Sequence, residues 1–283
     1  MEPGFALADI DRNRPHPARM YDFYLGGKDN YAVDQEAARE ILRAVPEVRD
    51  MARENRAFLQ RAVRFLVGEA GIRQIIDIGT GIPAAGNVHE VAREMAPDVR
   101  VIYADNDPIV HVHASALLTG AGSTGIVLAD LREPETILAH PRVRELIDFS
   151  QPVALLLVAI LHFITDGEHP ERLVAAFRDA LPLGSYLALS HGTADFHSQE
   201  AVSHGTKVYQ RATAPLVLRS HAQVTALFDG FDLIEPGLVQ VPLWRPDGKR
   251  PRLRDLAGIG IYGGVGQRLS ADSTAAPGPV PGL

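Results

Sequence analysis

From Gln74 onward, short apolar runs alternate with stretches of helical spacing, and this alternation restricts the chain to very few folds. The apolar runs fall at 74–78, 99–104, 125–129, 153–158 and 186–190. Helical spacing fills 85–95, 108–118, 135–140, 170–181 and 199–211. Strands separated by helices must join through right-handed crossovers, which builds a mainly parallel sheet. The continuous apolar run 153–158 suits a central strand covered on both faces. The expected architecture is therefore α/β, a doubly wound, mostly parallel sheet of seven strands with one reversed strand at the edge.

The two ends depart from this rhythm. Residues 34–44 and 47–66 have helical spacing, with Phe58, Leu59, Ala62, Val63 and Leu66 recurring at three- and four-residue steps. Residues 1–70 are expected to form an N-terminal helical cap ahead of a main domain at 71–268. A helix at 220–228 precedes two late apolar stretches, 231–235 and 258–262. With no helix between them, they predict an antiparallel hairpin at the sheet edge. Residues 269–283 are mostly Ala, Pro, Gly, Ser and Thr, a composition expected to stay disordered.

With 283 residues, the chain suits one α/β domain with an added segment. It has no cysteine, which excludes disulfides and thiolate chemistry, and no metal site is expected. A net charge of −7 argues against nucleic acid as the main partner, since backbone binding needs a basic face. The longest apolar run, 153–164, is broken by His162 and too short to span a bilayer. Residues 1–20 are polar and lack the apolar core of a secretory signal, so a cytoplasmic location is expected.

The chemistry concentrates where strands end. Asp77-Ile78-Gly79-Thr80-Gly81 closes the first strand and precedes a helix. Its two glycines allow a tight turn and close approach to a ligand, and the next helix adds unpaired amides. The second strand ends at Asp105, where a carboxylate can take both hydroxyls of a ribose. Asp130 follows the third strand and can face an adenine amino group. Acids after three successive strands all reach the same sheet edge.

These motifs resemble the first three of the class I S-adenosylmethionine methyltransferases. More specifically, residues 21–31 (YDFYLGGKDNY), 55–59 (NRAFL), 74–83 (QIIDIGTGIP), 87–90 (NVHE) and 103–108 (YADNDP) resemble an actinobacterial methyltransferase family of unassigned substrate. The likeness runs from about Pro17 to Gly266. It implies S-adenosylmethionine as cofactor, with Gly79, Thr80 and Gly81 at its methionine part and Asp77 orienting the loop or the amino group. It implies that Asp105 holds the ribose, Asn106 flanks the adenine, and Asp130 with Leu131 meets the adenine edge. Ala159 would lie near the amino-acid portion. Pro83 stands where many class I enzymes carry a third glycine, a departure that suits the first turn of a helix.

Tyr21, Tyr24 and Asn30 have two readings: a lid that dries the site and meets the sulfonium, or aromatics that pin an added helix to the core. His162, just past the fourth strand, is the candidate base. His89 and His191 lie near the same edge, whereas His111 and His113 point to different helix faces.

Two rival functions share parts of this pattern. Gly79 to Ala84 also satisfies the loose G-x-G-x-x-A pattern of an NAD(P)-dependent oxidoreductase. Against that stand Asp77, the third acid Asp130 and the hairpin-like ending. The other rival is a non-catalytic sensor or interaction module that binds S-adenosylmethionine. As for the acceptor, lack of cysteine excludes covalent attack on a pyrimidine carbon. The stretch Val158-Ala159-Ile160-Leu161 stands where amino-group methylases of DNA bases carry N/D-P-P-Y/F. With the acidic charge, this leaves a small molecule as the expected methyl acceptor.

Overall fold

A computed structural model describes residues 11–117, 122–248 and 251–269. The expected disorder of the tail therefore falls, except for Leu269, outside the described residues, as does Leu118 at the end of one expected helix.

Three helices open the described chain: α1 (Pro17–Leu25), α2 (Ala32–Ala44) and α3 (Val48–Arg64), the last continuing into a π-helical turn at Phe65–Glu69. Proline at the first position starts α1, and Gly26, with φ of 84°, ends it. The sheet then begins with β1 (Gln74–Ile78), and α4 (Val88–Met95) leads to β2 (Arg100–Asp105). α5 (Pro108–Leu117) leads to β3 (Thr124–Leu128), and the short helices α6 (Pro134–Ala139) and α7 (Pro141–Leu146) lead to β4 (Ala154–Val158). α8 (Pro170–Ala180) precedes β5 (Tyr186–Gly192); α9 (Gln199–Tyr209) and α10 (His221–Ala226) follow. β6 (Asp232–Leu233), β7 (Val239–Gln240), α11 (Leu253–Leu256) and β8 (Ile261–Gln267) complete the described chain.

The strand order is β3-β2-β1-β4-β5-β8-β6, with the short β7 also paired to β8. β1 to β5 run parallel, with β1 in register with β2 (Ile76 opposite Ile102) and with β4 (Ile76 opposite Leu155). The order reverses between β1 and β4, where a crevice opens in sheets of this kind.

Strand alternation sorts the core into two layers. Ile76, Ile102, Leu155 and Leu187 face a layer closed by α6, α7, α8 and α10, with Ile137, Val143, Phe177 and Val224 inside it. Ile75, Val101, Leu156 and Ala188 face the other layer, with Phe58 and Leu66 from the α3 segment and Val88 from α4. Trp244 seals that side, its ring edge-on to Phe58 and Phe65. A third cluster of Met20, Tyr24, Ile41, Ala52, Val208 and Tyr209 joins α1, α2 and α3 to α9.

The end of the sheet differs from the expectation. The reversed strand, β8, lies between β5 and β6 rather than at the edge, and it starts three residues later than the apolar run predicted. β6 takes the edge with two residues. Gly263, Gly264 and Gly266 lower the apolar score of a strand that is nonetheless buried. Among the described residues, no helix is long and apolar enough to cross a membrane.

Candidate active site

The glycine loop is built by two backbone positions that only glycine adopts easily. Gly79 and Gly81 have φ of 71° and 69°. A Cβ on Gly79 would come 2.5 Å from Ile160 Cγ1, so the loop after β1 and the segment after β4 can meet only without one.

The acids at the strand ends hold this loop. Asp105 Oδ2 accepts from the Gly81 N–H at 2.9 Å, and Oδ1 accepts from the Asp107 N–H at 2.9 Å. Burial pushes its carboxyl up to about 6 in spite of those bonds. Asp77, also buried, accepts from the Thr80 hydroxyl at 3.1 Å. Burial raises it to about 7, reinforced by Asp105 and opposed by Thr80 and Arg56. Asp130 is different. Burial works against its charge, but the Arg132 N–H, the Asn106 amide and the Arg132 guanidinium outweigh it and hold the carboxyl below its ordinary range. Arg132 is itself braced by Glu168.

Asp77, Gly79, Thr80, Gly81, Asp105 and Asn106 line one cavity of about 480 Å³, and Asp130, Leu131, Ala159 and His162 line it too. That size lies within the roughly 300–1,000 Å³ usual for small-molecule pockets. Ala159 has a φ of 56°, a strained value for a residue with a Cβ. Its N–H donates to Ser190 Oγ at 3.0 Å.

The N-terminal aromatics divide. Tyr21 and Tyr24 line the cavity from α1. Asn30 does not: its amide donates to Asp22 Oδ2 at 2.6 Å and to the Gly27 carbonyl, and its oxygen accepts from Gln35. It braces the turn between α1 and α2, so the three residues do not converge on the cavity. Tyr21 donates to the Ala52 carbonyl at 2.9 Å and accepts from Asn55 Nδ2 at 3.0 Å.

His162 reaches the cavity, but not as the base expected of it. Its Nδ1 accepts from the Gly192 N–H at 3.2 Å, so the neutral ring carries its proton on Nε2. Burial, with His191 and Arg219 nearby, holds its pKa well below the ordinary histidine value. It is a neutral hydrogen-bond donor. His191 is saturated between the Gly192 carbonyl and Arg219, and His89 is bound to the Tyr103 hydroxyl; neither lines the cavity.

Several lining residues escaped the sequence reading. Arg19 is buried between Asp34 Oδ2 at 3.6 Å and Asp107 Oδ2 at 3.5 Å, and His16 Nδ1 lies 3.1 Å from the same Asp107 oxygen. Arg56 donates to Ala84 and Asn87, beyond the glycine loop. His197 lines the cavity with a buried Nε2 that has no partner. Only Arg56 carried a signal, the NRAFL stretch. Among the described residues no acidic or histidine cluster could hold a metal ion.

A doubly wound sheet with a glycine loop after its first strand and acids at the ends of its first three defines a Rossmann-like, nucleoside-cofactor class of protein. The sequence profile of the S-adenosyl methyltransferase family matches residues 4–269, and the chain belongs to that family. It is an S-adenosylmethionine-dependent methyltransferase. A candidate methyltransferase from Thermobifida fusca, whose crystal structure is known, is 39% identical with a TM-score of 0.86, over 92% of this chain and 97% of that one. A DUF574 family protein from Streptomyces avermitilis is 43% identical with a TM-score of 0.87, over 92% and 99%. No curated protein matches the chain.

Proposed function

We propose that this methyltransferase acts in the cytoplasm on a small-molecule acceptor, with residues 1–70 serving as a cap over a catalytic domain at 71–268. When bound, S-adenosylmethionine supplies an electrophilic methyl group on a sulfonium. In this reading Gly79, Thr80 and Gly81 back its methionine part, and Asp77 and Asp105 answer the ammonium and the ribose hydroxyls. Asn106, Asp130 and Leu131 flank the adenine, and Ala159 lies by the amino-acid end. The residues suit the cofactor chemically: it brings positive charge and a vicinal diol, and the lining acids accept from both. The missing Cβ of Gly79 leaves the space such a ligand needs.

The observation that carries this reading is the bond between Asp105 and Gly81, which locks the ribose candidate to the glycine loop beside a single cavity. Tyr21 and Tyr24 wall the cavity from α1 and keep water from the transfer path, while His162 offers a neutral N–H. Transfer in line needs chiefly positioning and exclusion of water. A proton relay is not required.

Calorimetric titration with S-adenosylmethionine, S-adenosylhomocysteine and NAD tests the site. Saturable binding of the first two, weakened by Asp105→Ala, is expected. Binding of NAD alone, or binding indifferent to Asp105, would refute the assignment. Labelled methyl transfer to the small-molecule fraction of an extract, rather than to protein or nucleic acid, tests the acceptor class.

A further inference from the structure

The cavity is electrically divided. Its charged lining residues belong to the strand ends or to groups tied to them: Asp77 and Asp105 lie at the ends of β1 and β2, Asp107 and Asp130 follow β2 and β3, and Arg132 bonds Asp130. Arg19 pairs with Asp107, Asp11 gives its carbonyl to Arg19, and Arg56 bonds the segment beyond the glycine loop; His16 lies beside the same carboxylate with its pKa lowered by burial.

The other walls carry no charge among the described residues. Ile41 and Val45 come from α2 and its end, Val48 and Met51 from α3, Val202 from α9, and Leu216 from the segment after it. The polar groups between the two regions are neutral, and burial lowers the pKa of His197, which lines the cavity just before α9. Tyr21 and Asn55 are already engaged with each other, and the His162 ring is held uncharged.

We infer that this chamber between α2, α3 and α9 seats an uncharged, apolar-bodied acceptor, such as a phenol, which is methylated on its hydroxyl oxygen. The inference rests on the charged end holding the cofactor, as proposed above. An ammonium acceptor would enter without a carboxylate to face it, and a carboxylate or phosphate without a cation. Either burial is costly. A neutral phenol meets neither penalty, and the N–H of His162 can hold its oxygen. As the oxygen bonds to the methyl carbon, the carbon–sulfur bond breaks and its electron pair stays on sulfur as a thioether. The protonated ether that results is a strong acid and loses its proton to solvent as the product leaves.

The test uses the full chain saturated with S-adenosylhomocysteine and titrated with 2-naphthol, 2-naphthoate and 2-naphthylmethylammonium, which share an apolar body and differ in charge. Naphthol should bind at least about ten-fold more tightly than either ion, because only the ions carry a charge into the chamber. Val202→Asp should abolish naphthol binding while leaving S-adenosylhomocysteine affinity unchanged. If that variant does not fold, Val202→Phe, which fills the chamber without charging it, should do the same. Equal or tighter binding of an ion overturns the proposal, as does absence of naphthol binding to the loaded protein. Naphthol binding indifferent to the folded Val202 variant overturns its location. Failure of S-adenosylhomocysteine itself to bind would instead refute the cofactor assignment, and the proposal with it.

Discussion

The hydroxyl of Ser190 donates to Asn55 Oδ1 at 2.6 Å, joining a helix ahead of the sheet to one of its central strands. The same hydroxyl accepts from the Ala159 N–H, and Asn55 donates onward to Tyr21, which donates to Ala52. Every donor in this chain has an acceptor. Its ends are the strained residue after β4 and the first aromatic of α1, so the network fixes two cavity walls relative to each other.

Replacing Asn55 breaks the network in the middle. Asn55→Leu leaves the buried Ser190 hydroxyl without its acceptor and should cost about 1–3 kcal/mol. Tyr21→Phe removes both the donor to Ala52 and the acceptor of the Asn55 amide, and should cost a similar amount. Urea unfolding of both variants checks this, and a negligible loss in either would refute it.

Asp105→Ala should weaken S-adenosylmethionine binding at least about ten-fold, since hydrogen bonds to a charged group contribute roughly 1.5–3 kcal/mol. It also frees the Gly81 N–H, so the glycine loop should exchange its amides faster. Titration calorimetry reads the first effect and hydrogen exchange the second.

Cofactor affinity should rise with pH. Asp105 and Asp77 titrate at about 6 and about 7 in the folded chain, against about 3.9 for a free carboxyl. The ligand-free fold thus holds more protons than the unfolded chain between about pH 4 and 7. These two groups stabilise it below that window, and their contribution is lost as pH rises through it. A cation with donor hydroxyls favours the ionised acids, so binding should tighten from pH 5 to 8 and release protons. Calorimetry in two buffers of different ionisation enthalpy counts them, and proton uptake would contradict the assignment.

His162 should remain neutral, with its proton on Nε2, across pH 5–8, because burial opposes its charge and Nδ1 is committed to Gly192. Ring nitrogen shifts by NMR give the tautomer directly. A titration near pH 6.5 would restore it as a base.

Arg19→Met should destabilise the fold by about 3–5 kcal/mol, the usual cost of removing one partner from a buried ion cluster. Asp34 and Asp107 would both lose their buried cation. A smaller loss in thermal unfolding would mean that the two carboxylates find water.

Much of this was legible because period and punctuation are local. β1 coincides with the apolar run read from sequence, and β2 to β5 lie within one or two residues of theirs at each end. The acids at the ends of β1, β2 and β3 were visible because each lies at or just past the end of an apolar run. The C-terminal strands were read less well. β6 and β7 have two residues each, too few for alternation to register, and the glycines of β8 mask its burial.

The sequence by itself determined the alternating α/β pattern, the glycine loop and the strand-end acids, since each depends on residues a few positions apart. Tertiary structure decided the rest. Asn30 turned to Asp22 rather than the cavity because the turn between α1 and α2 needed its amide. His162 became a donor because β5 brings the Gly192 N–H to its Nδ1. Arg19 found two carboxylates, one on α2 and one after β2, that no local spacing connects. Protonation and hydrogen-bond roles are set by neighbours in space, and those neighbours are assigned only when the sheet closes.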